Sequence, residues 1–336
     1  MKTKWYLFFL TIATISMLVY SAAGSVVEAK TKIGVLMVGD SRHEKLTGLK
    51  KGLKDLGYED GEFIFIVKNA GDQPAKLNGQ IDALLASSPD IIVSMGGVET
   101  IRLKELGEKK GLQVPVVFAG VAAPQELGLI KDYKHPGGKF TGISNYHTSI
   151  TGKRLELLKD LVPSIGRVHV IYDTAISASK ISLKETETAA EKLSLTIVPW
   201  DIRTPGFEGK LTAEARPGDA LFILPSFKIE SMTADLARLA HENRLPSMGI
   251  YKNDVSGGFL ASYGAGYYEQ GYQAARYISL LVKGNSPGDL PVELSDNLQF
   301  VISKNEADFL KLELNPDLMS IADYDGAKER GGSGGQ

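Results

Sequence analysis

The sequence predicts an α/β protein of two lobes, each a doubly wound parallel sheet, with a crevice where they meet. Three observations point there. Short apolar runs alternate with segments whose leucines recur at helical spacing, the pattern of parallel βαβ units. The rhythm stops and restarts around Lys139–Asp173, KFTGISNYHTSITGKRLELLKDLVPSIGRVHVIYD, which reads as strand, polar turn, helix and strand. Glycine and small polar residues punctuate the carboxyl ends of the strands, where such sheets receive ligands.

In order, Lys32–Val38 is a continuous apolar run suited to a strand buried on both faces. Glu44–Leu56 carries Leu46, Leu49, Leu53 and Leu56 on one helical face and is closed by Gly57. Strands are expected at Phe63–Val67, Asp90–Ser94 and Val114–Ala119, with helices at Gln73–Ser87 and Thr100–Lys110 between them. Beyond the crossover the strands are Val168–Tyr172, Leu195–Val198, Ala220–Leu224, Pro246–Ile250 and Gly258–Ser262, with helices at Ser177–Leu193 and Ile229–Asn243. A long amphipathic helix, Tyr267–Lys283, then a linker, a strand Leu298–Ser303 and a helix Lys304–Leu312 complete the chain. If Tyr267–Lys283 packs on the first lobe, the chain crosses between lobes more than once, as in a hinge. The expected division is 30–144 plus 265–285 for the first lobe and 145–264 plus 286–325 for the second. The glycine-rich residues 326–336 are expected to be a disordered tail.

Lys2 and Lys4 precede an apolar run, Trp5–Tyr20, followed by the small residues of Ser21–Ala29. That is the pattern of a signal peptide over 1–29, cleaved at Val27-Glu28-Ala29. The run is short for a spanning helix, which needs about 20 apolar residues. A periplasmic protein is expected. With no cysteine, it would carry no disulfide, no thiolate metal site and no lipid-anchored terminal cysteine. A formal charge of -2 gives no basic face for nucleic acid. No cofactor is expected. The chain lacks a GxxxxGK[ST] phosphate loop and a GxSxG elbow, and its histidines show neither HxxxH nor HExxH. The one GxG element, Gly264-Ala265-Gly266, lacks the third glycine of a dinucleotide fingerprint.

Candidate ligand contacts fall at strand ends: Asp40, Ser41 and His43; Gly96 and Gly97; Gly120; Ser144 and Asn145; Tyr172 and Asp173; Ser226 and Phe227; Tyr251 and Asp254. Glycines there would let a ligand approach backbone N–H groups at helix N-termini, or would simply serve the turns. Ser144 and Asn145 offer hydrogen bonds, and Tyr172 and Phe227 offer flat apolar faces. Asp173 suits either ligand binding or helix capping.

Five stretches carry a family resemblance: VPVVFAGVAAP (114–124), PGGKFTGIS (136–144), GKRLELLKDLVPSIGRVHVIYD (152–173), GFLASYGAGYYEQGYQAA (258–275) and VKGNSPGDLPVE (282–293). Together they resemble the periplasmic substrate-binding proteins of ABC importers, in the group that includes tryptophan and other aromatic amino-acid binders. The resemblance implies a type I periplasmic-binding fold of two Rossmann-like lobes with a multi-crossover hinge. It also implies a monomer that captures an amino acid, an aromatic or a nucleoside-like compound and delivers it to an ABC permease. A periplasmic sensor presenting its closed form to a signalling receptor is the alternative. Ala122-Ala123-Pro124, Gly96-Gly97-Val98-Glu99 and Ser226-Phe227 stand where the family often has polar residues, so the pocket should be less polar there, with Glu99 adding a charge.

Overall fold

The computed structural model describes residues 30–325, so the expected signal peptide and tail lie outside the described residues. The first lobe opens with β1 (Thr31–Met37), α1 (His43–Asp55), β2 (Phe63–Asn69), α2 (Leu77–Ala86), β3 (Ile91–Ser94), α3 (Gly97–Lys110), β4 (Val116–Val121) and β5 (Phe140–Ser144). The second continues with α4 (Thr151–Leu161), β6 (Arg167–Tyr172), α5 (Ser177–Leu193), β7 (Thr196–Asp201), α6 (Phe207–Glu214), β8 (Asp219–Ile223), α7 (Phe227–Ser231), α8 (Thr233–Glu242), β9 (Ser247–Gly249), α9 (Lys252–Ser256) and β10 (Ala261–Ala265). The last stretch comprises α10 (Tyr267–Val282), β11 (Glu293–Leu294), β12 (Leu298–Ile302), α11 (Lys304–Leu310), α12 (Pro316–Ile321) and β13 (Asp323–Tyr324).

Two sheets result, ordered β11-β5-β4-β3-β1-β2 and β13-β12-β10-β9-β8-β6-β7. Their central strands are buried on both faces, which is why they read as unbroken apolar runs rather than as alternation. Every pairing is parallel except β10 with β12, which run antiparallel. The chain passes from one sheet to the other after β5, after β10 and between β11 and β12.

The sequence-based division needs one correction. Glu293 and Leu294 pair with Ile143 and Ser144 of β5, so this part of the 286–325 stretch belongs to the first sheet. Two residues are too short to announce a strand by periodicity. The helix expected at 229–243 is two helices, α7 and α8, interrupted at Met232. Helices α6, α9 and α12 and the strand β13 had no clear apolar pattern and were not expected from the sequence.

Helix α10 returns to the first lobe and lies against α1. Gly48 and Gly52, one turn apart on α1, face the backbone of Tyr268 and Tyr272 and the Ala275 side chain of α10, while Gly271 of α10 faces the Lys45 backbone. A Cβ on Gly271 would sit 1.8 Å from the Lys45 carbonyl oxygen, and one on Gly48 would sit 2.1 Å from that of Tyr268. Only glycine allows this approach. It presses Leu49, Leu53, Ala274, Tyr277 and Ile278 into one core over the sheet.

Candidate functional site

A cavity of about 360 Å³ lies between the lobes, at the carboxyl ends of the strands. That is within the range of roughly 300–1,000 Å³ for small-molecule pockets and at its lower end. Part of its lining is apolar: Val98 and Ile101 of α3, Leu127, Ile176 and Pro225, with the Phe227 ring at the start of α7. The rest of the lining is polar and includes Arg42, Lys45, Glu105, Asn145, His147, Ser226, Glu230 and Tyr251, with the Arg42 guanidinium 5.8 Å from the centre of the Phe227 ring.

Arg42 ends a 3-10 turn that links β1 to α1, and it is 4% exposed. Its Nη1 donates to the Tyr267 hydroxyl at 2.8 Å, and its Nη2 lies 3.0 Å from Glu230 Oε2 on the other lobe. The Tyr267 hydroxyl in turn donates to Glu230 Oε2 (3.0 Å), and that of Tyr251 to Oε1 (3.3 Å). Burial opposes the Arg42 charge, but Glu230, the Tyr267 oxygen and Glu99 outweigh it and hold its pKa well above the ordinary value. Arg42 therefore stays charged, paired across the crevice.

Lys45 points inward from α1, and its Nζ donates to the Ala119 carbonyl at 2.8 Å. Burial first, then repulsion from Arg42, pushes its pKa well below the ordinary lysine value. Glu99, in the first turn of α3, is fully buried beside them. Burial raises its pKa, and Arg42 brings it only part of the way back.

The β4–β5 junction supplies the next groups. Gly120 forms a bulge where the register of the two strands shifts, at φ +89°. A Cβ there would strike Gln270 Oε1 at 1.6 Å, so a side chain has no room. The bulge leaves the Gly120 carbonyl free to accept from Asn145 Nδ2 at 3.3 Å. His147, two residues on, accepts at Nε2 from the Ala265 N–H. Burial, followed by the positive charges of Arg154, Lys45 and Arg42, drives the His147 pKa well down, so the ring is neutral. With Nε2 accepting, its proton sits on Nδ1, which has no partner among the described residues. That is a free donor on a cavity-lining ring.

Of the residues expected from the sequence, Gly97, Gly120, Asn145, Ser226, Phe227 and Tyr251 line this cavity. The others do not. Asp40, Ser41 and His43 face solvent, while Arg42 between them turns inward. Gly96 caps α3 and lies under the side chains of Arg42 and Glu99. The Ser144 hydroxyl donates to the Val121 carbonyl, which fastens β5 to β4. Tyr172 packs against the core of the second lobe. Asp173 neither caps a helix nor faces the cavity: Arg203 donates to both its oxygens at 2.8 Å, and the Ser226 hydroxyl donates to Oδ2. Asp254 accepts from the N–H groups of Ile250 and Tyr251, and so holds the turn that presents the Tyr251 ring. Arg42, Lys45, His147 and Glu230 were missed. Nothing local marks them, since each looks like an ordinary surface residue of a loop or short helix.

Two doubly wound lobes, three crossings and a cavity between them define a type I periplasmic binding architecture. A family profile described as ABC transporter substrate binding protein matches residues 30–324, and the chain belongs to that family. It is a solute receptor, and its family is one of substrate binding rather than catalysis. A tyrosine-binding protein of Clostridioides difficile (strain R20291) is 27% identical over 277 residues, 81% of this chain and 79% of that protein. Among solved structures, an ABC domain from Streptococcus pneumonia in complex with L-Trp superposes with a TM-score of 0.79 at 24% identity, covering 88% of this chain and 99% of that one. A conserved domain protein from Vibrio cholerae gives 0.78 at 25% identity, with the same coverage. No helix among the described residues is long and apolar enough to cross a membrane.

Proposed function

We propose that the cavity takes an aromatic amino acid, and that the chain, exported to the periplasm by its cleaved N-terminal segment, delivers it as a monomer to an ABC permease. The carrying observation is a cavity lined by apolar side chains together with charged groups of both signs, Arg42 and Lys45 alongside Glu105 and Glu230. Val98, Ile101, Leu127 and Phe227 suit a flat apolar side chain. Arg42, Lys45 and the Nδ1–H of His147 suit a carboxylate, while Glu230 suits an ammonium group. Among the site residues expected from the sequence, Phe227, Tyr251, Asn145 and Ser226 are the proposed contacts, with Gly97 and Gly120 allowing close backbone approach. The relatives named above, one a tyrosine-binding protein and one holding L-Trp, support the same ligand class. The lobes, 31–144 with 267–294 and 145–265 with 298–325, would move as two bodies about the three crossings and close on the ligand.

Calorimetric titration tests this. L-tryptophan, L-tyrosine and L-phenylalanine are compared with tryptamine, indole-3-propionate and L-leucine. The reading expects the aromatic amino acids to bind best, and loss of either charged group to weaken binding by tenfold or more, about 1.4 kcal/mol. Binding of tryptamine or indole-3-propionate as tight as that of L-tryptophan would remove the zwitterion from the argument. A preference for L-leucine would remove the ring.

A further inference from the structure

The buried carboxylate of Glu99 lies beside Arg42 but does not line the cavity. It is 0% exposed, and neither of its oxygens accepts a hydrogen bond from the described residues. Buried polar groups are almost always paired, and a buried unpaired carboxylate is among the costliest groups a fold can hold. Its nearest cation is Arg42, whose Nε also lacks a partner and stands 3.7 Å from Glu99 Oε1, beyond hydrogen-bond reach. The other end of the same guanidinium is drawn to Glu230 of the second lobe at 3.0 Å. One cation thus stands between two carboxylates, one on its own lobe and one on the other.

We infer that Arg42 exchanges partners as the lobes move: it pairs with Glu230 when they are together and with Glu99 when they part. The geometry makes the exchange short. Tyr267, at the start of α10 beside a crossing, holds Nη1, so the guanidinium can turn about that anchor and bring Nε to Glu99. Glu230 leaves with α7 but keeps the Tyr251 hydroxyl of its own lobe. Neither charge is stranded by opening. Without Glu99, separation would leave Arg42 without an acidic partner. Glu230 is therefore the closing partner and Glu99 the release partner, whatever ligand fills the cavity.

The chain contains no cysteine, so a spin-label pair at Gln125→Cys and Lys180→Cys, one beside the cavity on each lobe, reports the lobe separation without interference. Glu230→Gln should move the population about tenfold toward longer distances, and Glu99→Gln about tenfold toward shorter ones. Both should do so with no ligand added. Because the Glu99 oxygens accept no hydrogen bond from the described residues when the lobes are together, Glu99→Gln and the apolar Glu99→Met should melt at or above the wild-type temperature. A distance distribution unchanged by Glu99→Gln, or displaced the same way as by Glu230→Gln, would overturn the exchange. So would a marked loss of stability in both Glu99 variants.

Discussion

Gly271→Ala tests the seam between α1 and α10. Inside an ordinary helix this change stabilises by about 1 kcal/mol, because alanine loses less backbone entropy. Here the added Cβ would meet Lys45 backbone atoms at 1.8 Å (O), 2.6 Å (C) and 2.8 Å (Cα). Backbone cannot rotate away as a side chain can, so the helices must separate by roughly 1.5 Å to restore van der Waals contact. A gap of that size forfeits much of the packing between Leu49 and Leu53 on one side and Ala274 and Ile278 on the other. Overpacking of this kind costs about 1–3 kcal/mol, and this contact lies at the severe end, so the net loss should be about 2 kcal/mol. For a lobe of this size that corresponds to a fall of roughly 4–8 °C in the melting temperature. Gly79→Ala is the control: it is also in a helix of the first lobe, but nothing lies within 4 Å of its added Cβ. It should gain about 0.5–1 kcal/mol. Urea denaturation followed by circular dichroism measures both. A Gly271→Ala protein as stable as wild type would refute the account of this seam.

Other outcomes follow from single contacts. Phe227→Ala should weaken aromatic amino-acid binding about tenfold or more in titration calorimetry, with little change in melting temperature, because the ring is only partly buried. Asp173→Asn should destabilise the second lobe by about 2 kcal/mol at pH 7, since four charge-assisted hydrogen bonds converge on that carboxylate. Its pH dependence has a definite sign. Burial would raise the Asp173 pKa, but the bonds from Arg203, Ser226 and the Ala175 N–H overcome it and hold the group below its ordinary value. The unfolded chain then takes up the proton first, so the stabilisation is complete above about pH 4 and is lost as the pH falls further. The gap in stability between wild type and Asp173→Asn should close over that acid range. A gap that stays constant there would exclude the ionised pair as its source.

Much of the fold was legible because buried parallel strands and amphipathic helices write their periodicity locally. The helix Ser177–Leu193 has the same bounds by both routes, and the strand Phe140–Ser144 likewise. The exceptions are elements too short to show a period, such as β11 and α9, whose existence depends on a neighbour strand or on the Asp254 carboxylate. The site was less legible. Strand-end reasoning reached Asn145, Ser226, Phe227 and Tyr251, which line the cavity by virtue of where strands end. It also selected Asp40, Ser41 and His43, which flank the one residue of their turn that faces inward. A turn too short for a helical period cannot announce its buried side.

The sequence by itself determined two α/β lobes, the crossover between Lys139 and Asp173, and a membership that the family profile bears out over residues 30–324. Tertiary structure alone decided the electrostatics of the crevice. Arg42, Glu99, Glu230 and Tyr267 come from four different elements, and the Arg42–Tyr267 bond spans 225 positions of chain. Charged residues ordinarily read as surface. Arg42 and Glu99 are buried here because the fold brings opposite charges and hydroxyls within 3–4 Å of one another, and that compensation has no counterpart in any local stretch.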